Sequence, residues 1–219
     1  LGDIEEIEFL ARQDRWIYQR VGITNPLDPK DYVHYGGLTG LRKALKQHPS
    51  SVIQAVTDSG LRGRGGAGFP AGIKWRTVAD QQPQPHAGES LEASKHKYIC
   101  VNADEGDSGT FADRMLMEGD PFCLIEGMTI AAHAVGADLG LIYLRSEYPD
   151  AINVLNAALG IARNEGWLGN CILGSNLDFD IEVRVGNWQF LLERTVSAYG
   201  SHSGGQRKGI LRDCCQGLK

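Results

Sequence analysis

The chain has 219 residues, 42% of them hydrophobic and 22% charged, and a formal net charge of −5. That is enough to bury a core as one large or two small domains, and an acidic chain with no basic stripe argues against a nucleic-acid partner, whose phosphates demand clustered Lys and Arg. It contains no apolar run of about eighteen residues, and its start, LGDIEEIEFL, is acidic where a leader peptide would be basic and then apolar, so the expectation is a soluble cytoplasmic chain.

From Asp3 to Gln47 the pattern reads as helical and polar, with Ile4, Ile7, Leu10 and Ile17 near helical spacing and a break at NPLDP. Two short helices follow: Asp28 offers a cap with Pro29 in the first turn, and a second helix after Gly37 carries Leu41 and Leu45. From Val52 onward short apolar runs alternate with helical ones. KYICVNA (97–103) and GLIYLRS (140–146) read as buried strands. Between them DPFCLIEGMTIAAHAVGA reads as a helix capped by Asp120 and ended by Gly136, and His133 on it is expected to be a satisfied helix residue, not a ligand. Pro149 opens another helix, and FDIEVRV alternates as a strand with one wet face. The fold class is therefore α/β: a Rossmann-like, mostly parallel sheet with flanking helices, preceded by a short helical N-terminal segment, with ligands expected beyond the carboxyl ends of the strands. The units are a helical segment over 1–50, an α/β domain over 51–186 and a divergent tail over 187–219.

The five cysteines, Cys100, Cys123, Cys171, Cys214 and Cys215, are odd in number and show no C-x-x-C spacing, so they read as reduced thiols and no metal site completed within this chain is expected.

Two stretches carry chemistry. GLRGRGGAGFPAGIKW (60–75) sets six glycines beside Arg62, Arg64 and Lys74. Gly63, Gly65, Gly66 and Gly68 permit positive φ and close approach of backbone N–H groups to a ligand, and the helix expected from about Ala71 adds its positive end. A phosphate cradle with an aromatic ring system lying against it fits. A flexible glycine loop with solvated arginines is the plainer alternative, and neither the Walker pattern nor the Rossmann glycine fingerprint matches. The second stretch, VNADEGDSGTFADR (101–114), packs Asn102, Asp104, Glu105, Asp107 and Asp113 behind a strand. Such side chains can accept from a ribose or pair with a flavin edge; turn-capping residues on a wet loop are the alternative.

Taken together, GLRGRGGAGFPAGIKW, NADEGDSGTFADR, EGDPFCLIEGMTIAAHAVGA and YLRSEYPDAI, in this order, closely resemble one family. It is the flavin-bearing, NADH-binding subunit shared by NADH:quinone oxidoreductase, NAD-dependent formate dehydrogenases and NAD(P)-linked hydrogenases, and the wording is most similar to the formate dehydrogenase beta subunit. The resemblance runs from about Asp28 to Gly186. It implies FMN on the glycine loop, with Gly63, Arg64, Gly65, Gly66, Ala67 and Lys74 around it, and Asn102, Asp104 and Glu105 at its ribityl chain or ring edge. It implies that Phe69, Lys74 and Asp107 lie near NAD(H), and that hydride passes between the cofactors with no catalytic side chain. It also implies a thioredoxin-like [2Fe–2S] partner and a molybdenum- or tungsten-containing formate dehydrogenase subunit, with no membrane insertion.

After Gly186 the sequence departs from that family. Relatives continue with a glutamate pair at the cofactor site and, further on, with the cysteines of a [4Fe–4S] cluster, whereas NWQFLLERTVSAYG stands here and the adjacent Cys214 and Cys215 do not match that ligand run. The expectation is a tail, 187–219, drawn partly from a shifted reading frame, and weak FMN binding by the chain as written. A fragment that binds without turnover, and a phosphate loop on an unrelated nucleotide enzyme, are the competing readings.

Overall fold

The computed structural model describes residues 6–63, 67–81, 96–107 and 109–186. Their elements run α1 (Glu8–Ala11), α2 (Pro29–His34), α3 (Thr39–Ala44), α4 (Pro49–Asp58), α5 (Ala71–Ala79), β1 (Tyr98–Ala103), α6 (Ala112–Gly119), α7 (Pro121–Val135), β2 (Leu139–Leu144), α8 (Pro149–Asn164) and β3 (Asp180–Val185). The tail over 187–219 lies outside the described residues.

Local signals account for several boundaries. Asp28 caps α2, its carboxylate accepting from the N–H groups of Lys30 and Asp31, with Pro29 in the first turn. Gly136 ends α7 at φ 73°, a left-handed conformation that costs glycine nothing. Asp120 does stand at the N-cap position of α7, but its carboxylate is turned to Arg20 Nε at 2.8 Å. The helical reading of the first residues shrinks to α1, four residues long, followed by turns. The apolar spacing there does not mark a buried stripe, since Ile7 and Ile17 are exposed; the segment is held instead through buried Arg20.

The three strands form one parallel sheet in the order β1-β2-β3. Register pairs Ala103 with Leu144 and Leu144 with Val185, so the carboxyl ends lie level. α7 and α8 pack on each other and on the sheet, so both crossovers cover one face. That face receives Ile99, Val101, Ile142, Leu144 and Ile181. Beneath α7 a cluster of three rings forms, with centroids 5.5 Å apart for Tyr32–Phe122 and 5.3 Å for Phe122–Trp167.

α2 and α3 join the core through one carboxylate. Glu126 of α7 accepts from Tyr32 Oη at 2.5 Å, Leu38 N–H at 2.7 Å and Leu41 N–H at 2.9 Å. It thereby caps α3 from another helix, because Leu38, at the N-cap with φ 62°, has no capping side chain of its own. Burial and the neighbouring Glu126 push the Tyr32 hydroxyl far above its ordinary pKa, so it stays a donor. Position 50 falls inside α4, and both α3 and α4 pack on α7.

Truncating Glu126 to Ala leaves two amides and a phenol without an acceptor in a largely dry region. The expected cost is about 3 kcal/mol of unfolding free energy, read by urea titration; a variant as stable as the parent contradicts this account.

Candidate cofactor site

The glycine loop is closed at its neck by a short antiparallel bridge. Gly63 N–H donates to Phe69 O at 2.9 Å, Ala71 N–H to Leu61 O at 2.8 Å, and Arg62 Nε to Gly68 O at 2.6 Å. Gly68 sits at φ 58°, where a side chain would be strained. Gly63 is buried, Ala67 and Phe69 are exposed and Gly68 is half-buried; Arg64, Gly65 and Gly66 lie outside the described residues.

The loop delivers the chain directly into α5. No side chain caps the first turn of that helix, and it holds no acid, so the positive end of its dipole is not neutralised from within. Lys74, one turn in, places its ammonium 5.4 Å from the Phe69 ring centroid. Gly72 lets α5 meet α4 closely, since a Cβ there would come within 2.2 Å of Thr57 Oγ1 and 2.7 Å of the Thr57 Cα.

Lys97, just before β1, anchors the end of α5. Its ammonium donates to Ala79 O at 2.9 Å and to Val135 O at 3.2 Å, the last carbonyls of α5 and α7. Both helix C-termini therefore sit at the amino end of β1. α5, nine residues and about 13 Å long, packs on α4 and α7. At its carboxyl end β1 opens into the acidic loop.

Within the acidic loop, Asn102 Oδ1 accepts from Asp104 N–H at 3.0 Å, a local turn. Asp104 lies 3.4 Å from Arg145 Nε. The buried Glu105 carboxylate accepts from the N–H groups of Ala112 at 2.9 Å, Asp113 at 3.2 Å and Arg114 at 3.2 Å, capping α6. Asp107 is exposed. Of the acids expected near a ligand, Glu105 thus has its carboxylate engaged by a helix N-terminus, and Asp104 meets a guanidinium.

The sequence reading did not single out Arg145, Tyr148 or Lys97. A signal for the first two existed: YLRSEYPD follows a buried strand at its carboxyl end, where open α/β sheets place working residues. His133 Nε2 lies 3.0 Å from Gln47 O, a structural contact. A groove formed by α2, α3 and the turn after α8, with Lys30, Arg42 and Trp167 in its wall, includes no residue of either loop. Among the described residues no group of three His, Cys, Asp or Glu side chains could hold a metal ion, and no helix is long and apolar enough to cross a membrane.

A parallel α/β sheet in a chain whose glycine loop feeds an uncapped helix N-terminus defines a nucleotide- or flavin-phosphate-binding class. The chain belongs to the Nuo51 FMN-binding domain family, whose profile matches residues 56–192. It is 40% identical over 193 residues to the NADP-reducing hydrogenase subunit HndC of Solidesulfovibrio fructosivorans, covering 88% of this chain and 37% of that protein. It is 46% identical over 152 residues to a NADH-quinone oxidoreductase subunit of Rhizobium meliloti (strain 1021), covering 69% of this chain and 34% of that one. Among solved structures, an NAD⁺-reducing [NiFe]-hydrogenase in the H₂-reduced state superposes with a TM-score of 0.54 at 30% identity, over 80% of this chain and 26% of that chain. The chain thus spans about a third of the length of these curated relatives.

Two outcomes are expected. Gly72→Ala forces the new methyl against the Thr57 main chain and lowers stability by roughly 1–3 kcal/mol in chemical denaturation; an unchanged midpoint contradicts the tight α4–α5 contact. Burial pushes the Cys123 thiol up to about 11. At pH 8 only on the order of a thousandth of it is thiolate, so peptide mapping after alkylation finds exposed Cys171 labelled well before Cys123, and Cys123 labelling rises about tenfold per pH unit up to its pKa.

Proposed function

We propose that this chain forms the FMN- and NAD(H)-binding part of a diaphorase module in a multisubunit oxidoreductase, passing a hydride between nicotinamide and flavin and electrons onward to iron–sulfur clusters. The observation that carries the reading is the glycine loop feeding the uncapped N-terminus of α5, with Lys74 beside Phe69, in a chain whose parallel sheet opens at the end of β1 into the loop Asn102–Asp107. The residues suit FMN. Its phosphate meets an uncapped helix N-terminus and a lysine, and the bare backbone of the loop lets a planar ring lie close.

In this reading Gly63, Arg64, Gly65, Gly66 and Ala67 line the flavin, Lys74 neutralises anionic charge, and Asn102, Asp104 and Glu105 shape the wall beside the ribityl chain. Phe69 and Asp107, both exposed, face the dinucleotide. A bound flavin supplies hydride acceptance on one side and one-electron release on the other. The chain's own residues bind, orient and screen charge; none is required to move a proton. The unit doing this is put at 51–186, in the cytoplasm, with 187–219 as a divergent tail.

The parent complex is put as formate dehydrogenase-type on the sequence resemblance, with a thioredoxin-like [2Fe–2S] subunit and a molybdenum or tungsten subunit as partners and a [4Fe–4S] cluster in the longer relatives. The names of the relatives, a NADP-reducing hydrogenase and a NADH-quinone oxidoreductase, favour a second setting for the same module.

Quenching of FMN fluorescence on titration with the protein tests the binding step, and NADH-driven ferricyanide reduction by the loaded protein tests turnover. Lys74→Met is expected to weaken FMN binding by about tenfold, from loss of a charge-assisted contact, while Lys43→Met on α3 leaves it unchanged. Equal weakening by both, or no quenching by the parent, refutes the assignment; quenching without ferricyanide reduction points to binding without turnover.

A further inference from the structure

We infer that Arg145 and Tyr148, on the turn leaving β2, are positioning residues of this site: they fix the Asn102–Asp107 loop by gripping the main-chain oxygen of Glu105. The inference rests on the functional reading above and adds residues to it.

Tyr148 Oη donates to Glu105 O at 2.6 Å, and Arg145 Nη1 donates to the same oxygen at 3.3 Å. Two donors on one carbonyl use both of its lone pairs. Arg145 is itself braced, with Nη2 donating to Glu147 Oε1 at 3.1 Å and Nε lying 3.4 Å from Asp104 Oδ1. The guanidinium beside Glu147 holds that carboxyl below its usual range, so the brace persists through neutral pH. Tyr148 is braced from the other side by the Arg114 guanidinium, 5.5 Å from its ring centroid.

Glu105 is thus tied at both ends. Its side chain is held by the first turn of α6, and its main chain by the β2–α8 turn. Loop 102–107 leaves β1 and must pass through this fixed point before reaching Asp107, so the direction in which Asp104 and Asp107 are presented depends on two side chains from a different crossover. Arg145 and Tyr148 act through Glu105, not on a ligand. The next position, exposed Gly106, adjoins the same guanidinium: a Cβ there would lie 3.4 Å from Arg145 Nη1.

The test uses Tyr148→Phe, which removes a single hydroxyl, and Arg145→Lys, which keeps the charge and loses the fork. Four quantities are read: hydrogen exchange at the Ala112, Asp113 and Arg114 amides without flavin, the FMN dissociation constant, the midpoint of thermal unfolding, and the visible circular dichroism of bound flavin. For Tyr148→Phe, exchange at those three amides rises about fivefold and FMN binds about fivefold more weakly, as loss of one hydrogen bond predicts, with amides in α7 unchanged. Arg145→Lys shifts both in the same direction. The visible circular dichroism of bound flavin, blind to global stability, changes in both variants. Parent-like exchange and binding in Tyr148→Phe overturn the inference. So does a uniform rise in exchange across the chain with a fallen midpoint, which marks a merely structural role. A parent protein that fails to bind FMN refutes the functional reading first, and the cofactor role of these residues falls with it.

Discussion

The ammonium of Lys97 meets two helix C-termini at once, and it ties the helix behind the glycine loop to the start of the sheet. A helix ends with unsatisfied carbonyls and partial negative charge. Bringing the ends of α5 and α7 to one lysine answers both, and places them at the start of β1. Given that anchor, the end of α5 is fixed beside the end of α7, the helix on which α5 also packs.

Two glutamates, buried Glu105 and half-buried Glu126, solve the complementary problem at helix N-termini, each from a distance. Glu126 caps α3 from α7, and Glu105 caps α6 from the strand end. Neither α3 nor α6 has a capping side chain at its own N-cap position, where Leu38 and Phe111 stand. A carboxylate taking two or three N–H groups has its lone pairs answered by the backbone, with no arginine needed. Asp120 takes the other route, with burial pushing its carboxyl up while Arg20, 2.8 Å away, favours the charged form. These contacts knit the first fifty residues to the sheet domain more firmly than their polar, helical texture suggests.

Legibility followed sequence distance. Asp28 with Pro29, Gly136, the strand runs and the helix beginning at Ala71 were readable because each is decided by neighbours within a few positions. The link between Tyr32 and Glu126 spans 94 residues, and that between Arg145 and Glu105 spans 40; no local pattern encodes either. The first apolar spacing misled for the same reason: Ile17 sits at helical intervals but faces solvent, and the buried member of its segment is Arg20, whose partner Asp120 lies 100 positions on. At the candidate site, the glycines and Lys74 suggested a phosphate cradle by composition. The acids announced only that they were acids.

That ambiguity has a physical root. A dense acidic loop beside an expected anionic cofactor is a contradiction unless most of its charge is already answered, because uncompensated carboxylates would raise the potential against the phosphate the loop is meant to neighbour. Here the answers are internal: three amides on Glu105, a guanidinium beside Asp104, and a local turn at Asn102. The acids then serve chiefly to hold the backbone rigid and present what remains exposed. Side chain by side chain the motif is largely braced from within, with Asp107 its exposed acid, and in the proposed reading the positive charge toward the cofactor is left to the glycine loop and the helix behind it.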